Sequence, residues 1–129
     1  MANYKKINLK EDTEDAAVKF GYAPNMESRF GRSLLESEKS GASYFKIAPS
    51  FKVPFGHKHK EQEETYVLIS GSAKMKLGEE ILELKPFDAV RVSPGMPRGI
   101  AAGSKGAEII AFGAGQSGDA EMLSDFWKE

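Results

Sequence analysis

The two histidines of the chain lie two residues apart, in the segment His57-Lys58-His59. Residues two apart in a β-strand point to the same face of the sheet, so the two imidazoles can converge on one point. Glu64 follows five residues later, and a tight turn over residues 60–63 would return it beside them on the next strand. Two imidazoles and a carboxylate suit a divalent transition metal with open coordination positions. The spacing therefore predicts a metal site of His57, His59 and Glu64, for iron, zinc, nickel, manganese or copper.

The same segment has a simpler interpretation. Residues 57–64 form a charged run, and charged runs are usually solvated surface. A turn with a different register would also bring Glu61 or Glu63 to the histidines in place of Glu64. Spacing alone leaves these alternatives open.

Composition limits the classes of protein to consider. The chain has 129 residues, no Cys and a net charge of −1. This length predicts one domain over residues 1–129, because single domains usually hold roughly 100–200 residues. Without Cys there is no disulfide framework, thiol catalysis or Cys-ligated zinc. The near-neutral charge argues against nucleic-acid binding. No apolar run approaches the roughly 18 residues of a membrane span, and residues 1–10 lack a secretion signal. We therefore expect a cytoplasmic protein that binds neither nucleic acid nor membrane.

The middle of the chain carries β-strand patterns separated by turn residues. Aromatic and β-branched runs alternate with Gly, Pro, Asp and Ser clusters. Many short strands with almost no helix between them predict an all-β sandwich or barrel. The predicted strands cover residues 43–48, 51–59, 64–70, 73–77, 81–84, 89–92, 99–102 and 107–112.

The two ends have different patterns. Residues 1–40 form the least regular third, with a short helix predicted over 13–20, ending at Gly21, and a first short strand over Arg32–Leu35. The C-terminal tail, residues 114–129, is predicted to form a helix over 119–127. Its apolar residues recur on one helical face: Met122, Leu123, Phe126 and Trp127.

Residues 113–118 match the pattern G-x-G-x-x-G and follow a predicted strand. A dinucleotide site needs a βαβ unit of about 30 residues around that pattern. Because 11 residues remain after Gly118, we expect no nucleotide cofactor and interpret the glycines as an exit from the last strand.

The histidine segment is part of a longer pattern. Gly56-His57-Lys58-His59, four residues, Glu64, six residues and Gly71 resemble the first motif of the cupin superfamily. Residues 84–97, LKPFDAVRVSPGMP, resemble its second motif, a P-G-D turn, a short strand and P-G-x-P. The resemblance implies an antiparallel jelly-roll β-barrel with a core over 41–113. It implies that the three metal-ligand candidates point into the barrel, and that the chain forms a homodimer.

Two positions depart from the family pattern. Arg98 stands where metal-binding cupins supply a further His, and Phe87 stands where the turn has Gly. A Phe at positive φ would be strained, so we expect strain or a different turn type there. The guanidinium of Arg98 is expected at the edge of the pocket, directed inward, because it can pair with Glu64 or hold an anionic ligand through two parallel hydrogen bonds.

Three interpretations of the site follow. His57, His59 and Glu64 bind a metal while Arg98 orients a substrate carboxylate; or the site binds a small anionic or polar molecule without metal; or Glu64 and Arg98 form an inert ion pair. The first describes a small-molecule enzyme, such as an oxygenase or isomerase, and the second a non-catalytic binding module. Further side chains could line the pocket or be ordinary core: Phe45, Tyr66, Met75 and Phe112.

Overall fold

The computed structural model describes residues 3–114 and 118–128. Within them lie two short helices, α1 (Ala16–Lys19) and α2 (Arg32–Leu35), and eight strands of one antiparallel sheet. The strands are β1 (Met26–Phe30), β2 (Ser40–Ile47), β3 (Gly56–His59), β4 (Glu63–Leu77), β5 (Glu80–Leu84), β6 (Ala89–Val92), β7 (Arg98–Ala114) and β8 (Ala120–Leu123). No helix among the described residues is long and apolar enough to cross a membrane.

Two long strands, β4 and β7, form the centre of the sheet and pair along most of their lengths. The other edge of β4 pairs with β5 and β6, and the other edge of β7 pairs with β2, which is followed by β1. Strand β3 meets the beginning of β7, where His57 pairs with Arg98, and β8 covers the other edge of β3. This topology brings residues far apart in sequence to the end of the sheet where the histidines lie.

The core lies on the concave face of the curled sheet. Alternate residues of the long strands point into it, among them Leu68 and Ile109, which are paired in register and 0% and 1% exposed. Around them pack the other buried apolar residues: Ile47, Val53, Tyr66, Ala73, Met75, Leu84, Val92, Ala102, Ala107 and Ala111.

The predicted strands are present in the barrel, but several are joined. The strands predicted over 64–70 and 73–77 are one strand, β4, whose register against β7 shifts on either side of Gly71. Those predicted over 99–102 and 107–112 are likewise the single strand β7. Bulges of this kind let a long strand bend without ending. The strand predicted over 51–59 is limited to β3. The predicted strand endings at Gly71 and between residues 102 and 107 were wrong.

The N-terminal third is more regular than the sequence pattern predicts. Arg32–Leu35 is the helix α2, not a strand, and the first strand is β1, which no pattern indicated. Four residues are too few for local preference to decide between helix and strand. The predicted helix over 13–20 is reduced to α1, capped by the Asp15 carboxylate, with Gly21 at φ 80° just after it.

The prediction of a helix over residues 119–127 is wrong. Ala120–Leu123 is the strand β8, which pairs with β3, and a turn follows it. The edge of β3 offers backbone partners that a short isolated helix lacks, so tertiary pairing overrides the helical period. Of the glycine pattern over 113–118, residues 115–117 lie outside the described residues.

The turn of the second motif keeps its left-handed position. Phe87 has φ 73°, a left-handed conformation in which a Phe is strained, as expected. Its side chain is 80% exposed, so the ring adds little buried apolar surface.

Candidate metal centre

The site lies where β3, the start of β4 and the start of β7 meet. His57 and His59 project from the same face of β3 because they are two residues apart. The chain then turns over residues 60–62 and enters β4 at Glu63, which brings Glu64 back beside the histidines. Arg98 opens β7 directly opposite His57.

Three potential ligand atoms converge there. One nitrogen each of His57 and His59 and one carboxylate oxygen of Glu64 all lie within 4.8 Å of one another. Glu64 Oε1 is 3.3 Å from His57 Nε2 and 3.1 Å from His59 Nε2. The spacing of the sequence motif thus predicted the side chains that come together.

Arg98 is directed inward and contacts the same carboxylate. Its side chain is 2% exposed, and its Nη1 donates to Glu64 Oε1 at 2.8 Å. The Nε and Nη2 groups donate to the carbonyl oxygens of Met96 and Ser93, at 3.0 and 3.1 Å. The anion that Arg98 holds in this structure is therefore Glu64 itself.

Tyr66 completes the surroundings of Glu64. Its hydroxyl donates to Glu64 Oε1 and lies 3.4 Å from His57 Nε2. Burial and the nearby Glu64 charge raise the pKa of Tyr66 well above its usual value. Burial would also raise the pKa of Glu64, but hydrogen bonds from His57 and Tyr66 and the adjacent imidazoles outweigh it and lower that pKa to about 2. Glu64 is a carboxylate at neutral pH.

His59 is held from its far side by an aspartate of the C-terminal segment. Asp119 Oδ1 lies 2.7 Å from His59 Nδ1. Burial would raise the pKa of Asp119, but its hydrogen bonds with two backbone amides and His59 lower it well below its usual range. The Asp119 carboxylate can only accept, so the proton between the two groups belongs to Nδ1. The ring is thereby oriented with Nε2 toward Glu64.

This arrangement leaves one buried nitrogen unsatisfied. His59 is 8% exposed, and its Nε2 has no hydrogen-bond partner among the described residues. The 3.1 Å separation from Glu64 Oε1 meets the distance of an ion pair but not the geometry of a hydrogen bond. A cation bound between Nε2 and the Glu64 carboxylate would give the unsatisfied nitrogen a partner.

The donor set fits a divalent transition metal. Two imidazoles and a carboxylate leave coordination positions open, and a carboxylate behind one imidazole is the usual support for such a ligand. Glu64 has about four lone-pair directions, so it can bind a cation while it accepts from Arg98. The positive charge of Arg98 opposes metal binding.

The remaining predicted residues occupy different surroundings. Met75 is 1% exposed in the core, and Phe45 is half-buried, packs on that core and contacts the ring of Phe30. Phe112 is 47% exposed and lies on the opposite face of β7 from the core residues Ile109 and Ala111, so the structure does not bring it to the cluster.

The alternative ligands and the intervening lysine also lie outside the cluster. The backbone of Glu61 donates to Asp119, and Glu63 points to Arg91, 3.8 Å away. Lys58 points outward, with its ammonium 3.2 Å from Glu121.

Asp119 is the residue at the site that the sequence did not indicate. It follows His59 by sixty residues and is separated from the barrel by the glycine-rich stretch. No spacing rule connects it to the histidines. Its position at the start of the predicted helix over 119–127 gave no reason to place it beside the histidines.

The chain matches one protein family in sequence and several solved structures in fold. The family model for the cupin domain matches residues 43–113, more than half of the chain. No curated protein matches the sequence significantly. A cupin protein from Bacteroides fragilis is 24% identical, with a TM-score of 0.72, covering 92% of this chain and 89% of its own.

Two similar structures belong to enzymes. The Streptomyces nucleoside dehydratase Pac13 is 12% identical, with a TM-score of 0.72, covering 95% of this chain and 92% of its own. The polyketide cyclase RemF from Streptomyces resistomycificus is 18% identical, with a TM-score of 0.73, covering 97% and 87%. Identities this low establish the fold alone. Together with the family model and the sheet topology, they show that the chain is a member of the cupin superfamily with its jelly-roll β-barrel fold.

Proposed function

We propose that the chain is a small-molecule-binding cupin whose His57, His59 and Glu64 hold a divalent transition metal, as in a metal-dependent enzyme of oxygenase or isomerase type. The observation that carries this proposal is the buried Nε2 of His59. It faces an ionised carboxylate at 3.1 Å without a hydrogen bond, and its ring is held in that orientation by Asp119. A metal bound beside both atoms would bind the unsatisfied nitrogen and the carboxylate together.

Each residue has a role in this proposal. A bound metal would supply Lewis-acid or redox chemistry to a small molecule in its open positions. Glu64 contributes the negative charge of the ligand set. Arg98 neutralises part of that charge, and a carboxylate on the substrate would compete with Glu64 for the Arg98 Nη1 group. Tyr66 orients Glu64 and presents a hydroxyl next to His57.

The similar proteins support a catalytic role only in general terms. Their names describe a dehydratase and a cyclase, which act on different molecules. The same barrel therefore accommodates different small-molecule reactions, and its substrate is selected by the residues around the site.

Metal titration tests the proposal. In calorimetry with zinc or nickel on chelator-treated protein purified without an affinity tag, we expect one site in the parent protein. His57→Ala and His59→Ala should each reduce the affinity by more than about 100-fold, since each removes a ligand. Lys58→Ala is the matched control and should bind like the parent, because Lys58 points away from the cluster.

Two further measurements sharpen that test. Occupancy should fall below about pH 6, because metal must displace protons from the imidazoles. Elemental analysis of the untreated protein identifies the metal it acquires. A double histidine variant that retains as much metal as the parent would refute the proposal.

A second candidate function is binding of a small anionic ligand without metal. The observation in its favour is the 2.8 Å contact between Arg98 and Glu64, which neutralises the carboxylate and places a cation at the site. Thermal shift assays with a panel of small carboxylic acids, with and without chelator, separate the two functions. Stabilisation that persists in chelator and disappears in Arg98→Lys favours the metal-free function.

The homodimer implied by the family resemblance is a further proposal. Light scattering during size-exclusion chromatography should give twice the chain mass of 14.1 kDa. A mass of one chain across the concentration range would refute it.

A further inference from the structure

We propose that Asp119 is a positioning residue of the candidate metal centre, which holds the His59 ring with Nε2 toward Glu64 and fixes the turn that leads to Glu64. For its role in metal binding, this inference rests on the proposed function. Its structural part, the state of the His59 ring, does not require a metal.

The contacts of Asp119 join both halves of the ligand set. Oδ1 meets His59 Nδ1 at 2.7 Å. Oδ2 accepts from the backbone amides of Glu61 and Gln62, at 2.8 and 2.9 Å. Those two amides lie in the turn between β3 and β4, so one carboxylate fixes the ring of His59 and the path of the chain to Glu64. A carboxylate held by three donors is a rigid support.

The tautomer of His59 follows from the same contact. Which ring nitrogen carries the proton is set by the hydrogen bond that the other makes. Asp119 Oδ1 lies 2.7 Å from Nδ1, so Nδ1 is the nitrogen that donates, and a ring that binds a cation does so through Nε2. Without Asp119 the proton can occupy Nε2, where it would donate to Glu64 and block the metal.

The C-terminal segment that carries Asp119, residues 118–128, is fastened to the sheet beside the site. β8 pairs with every residue of β3, including both histidines. Phe126 fits against Gly56 and Gly99, where a Cβ at Gly56 would lie 2.5 Å from its ring. These glycines neighbour His57 and Arg98 in their strands, so the ring supports the sheet from the opposite face.

A lysine contacts both the backbone and the ring of Phe126. Lys76 is 9% exposed, its Nζ donates to the Phe126 carbonyl at 2.6 Å, and it lies 4.9 Å from the ring centre. The segment is thereby held at β8 and at Phe126, with Asp119 just before β8. This attachment gives Asp119 the fixed position that a support for a metal ligand needs.

Nuclear magnetic resonance of the histidine rings tests the structural part. In long-range ¹H–¹⁵N correlation spectra of ¹⁵N-labelled, chelator-treated protein at pH 8, we expect the His59 ring in the form with its proton on Nδ1, the nitrogen that faces Asp119. In Asp119→Ala the Nε2–H form should appear. Glu121→Ala is the matched control, since Glu121 is on the same segment and exposed, and it should keep the parent spectrum.

Zinc titration of the same variants tests the role in metal binding. Asp119→Ala should weaken zinc binding by about 10–100-fold, the usual effect of removing a group that supports a metal ligand. Glu121→Ala should remain within about twofold of the parent. Asp119→Asn keeps the shape and an acceptor oxygen, so it serves if the alanine variant does not fold, with an intermediate loss expected.

The outcomes separate this proposal from the proposed function. A parent His59 with its proton on Nε2, or protonated at both nitrogens, would overturn the assignment, as would an Asp119→Ala variant with unchanged spectrum and zinc affinity. If the parent has the expected tautomer but binds no metal, the proposed function fails and the positioning of His59 stands. If metal binds with the same affinity in the parent and in Asp119→Ala, the proposed function stands and the role of Asp119 in metal binding fails.

Discussion

Glu64 and Glu108 each accept a hydrogen bond from a tyrosine hydroxyl, on opposite faces of the same sheet. Glu64 lies on the inner face with Tyr66, and Glu108 lies on the outer face with Tyr44. In both places the pKa of the carboxyl is lowered and that of the tyrosine is raised. By these properties alone, the two pairs are similar.

The difference lies in what else reaches each carboxylate. Glu108 accepts hydrogen bonds from two hydroxyls, from Tyr44 at 2.5 Å on one oxygen and from Ser70 at 2.7 Å on the other. On Glu64, Oε1 alone meets two imidazoles, a tyrosine and an arginine, and one of those imidazoles has an unsatisfied nitrogen. A shifted carboxyl pKa therefore does not identify a site by itself. Converging side chains with an unsatisfied buried atom do so more reliably.

Neutralising each carboxylate should give the largest contrast. In chelator-treated protein at pH 7, Glu64→Gln should lower the free energy of unfolding by about 3–5 kcal/mol, because it leaves the buried Arg98 without its counter-ion. Glu108→Gln should cost about 1 kcal/mol, because the two hydroxyls can still donate to an amide oxygen. Urea unfolding measures both, and equal losses would contradict the distinction between the two faces.

Acid should reveal the same contrast with a smaller effect. The pKa of Glu64 falls from its ordinary 4.5 to about 2 on folding, so the folded state binds fewer protons than the unfolded state. The stabilisation is complete above the unfolded pKa and is lost as the pH falls from about 5 to 2, a change of about 2–3 kcal/mol.

Glu64→Gln removes this dependence. Urea unfolding at pH 7 and pH 3 should therefore show a gap between parent and Glu64→Gln that narrows in acid. A gap that is the same at both pH values would show that Glu64 does not gain its stability from the ionised form.

The smallest expected effect is that of removing the positive charge of Arg98, which contacts Glu64 on the inner face. Arg98→His replaces a cation by a neutral potential ligand, so zinc should bind about tenfold more tightly by calorimetry, or about 1.4 kcal/mol. Binding of small carboxylates should weaken in the same variant. Tyr44→Phe, on the outer face, should leave zinc affinity unchanged. Equal zinc affinity in parent and Arg98→His would show that residue 98 does not influence the metal centre.

The inner cluster was largely predictable because its parts are local. His57, His59 and Glu64 lie within eight residues, and strand alternation and one tight turn suffice to bring them together. The inward direction of Arg98 required the motif resemblance, since 34 residues separate it from Glu64. Alternation did not assign the face of Phe112, because the small residues Ala111 and Gly113 on either side of it carry little hydrophobic pattern.

The ends of the chain were predicted poorly for the opposite reason. Arg32–Leu35 and residues 119–127 were assigned the wrong structure from short patterns. Segments of this length have little preference of their own, and their conformation is decided by the element on which they pack. β8 is a strand because it pairs with the edge of β3. The sequence of the C-terminal segment does not indicate that this edge is there.

The all-β barrel, the cupin motifs and the three converging side chains of His57, His59 and Glu64 could be predicted from the sequence, because each depends on residues close together in the chain or on a regular period. The pairing of Arg98 with Glu64, the contact of Asp119 with His59 and the unsatisfied Nε2 of His59 became visible in the three-dimensional structure. Those contacts join segments up to sixty residues apart, and their geometry depends on how the sheet curls and where the C-terminal segment attaches. The spacing of residues in the sequence does not predict these contacts, because packing, and not the length of the intervening chain, determines which side chains meet.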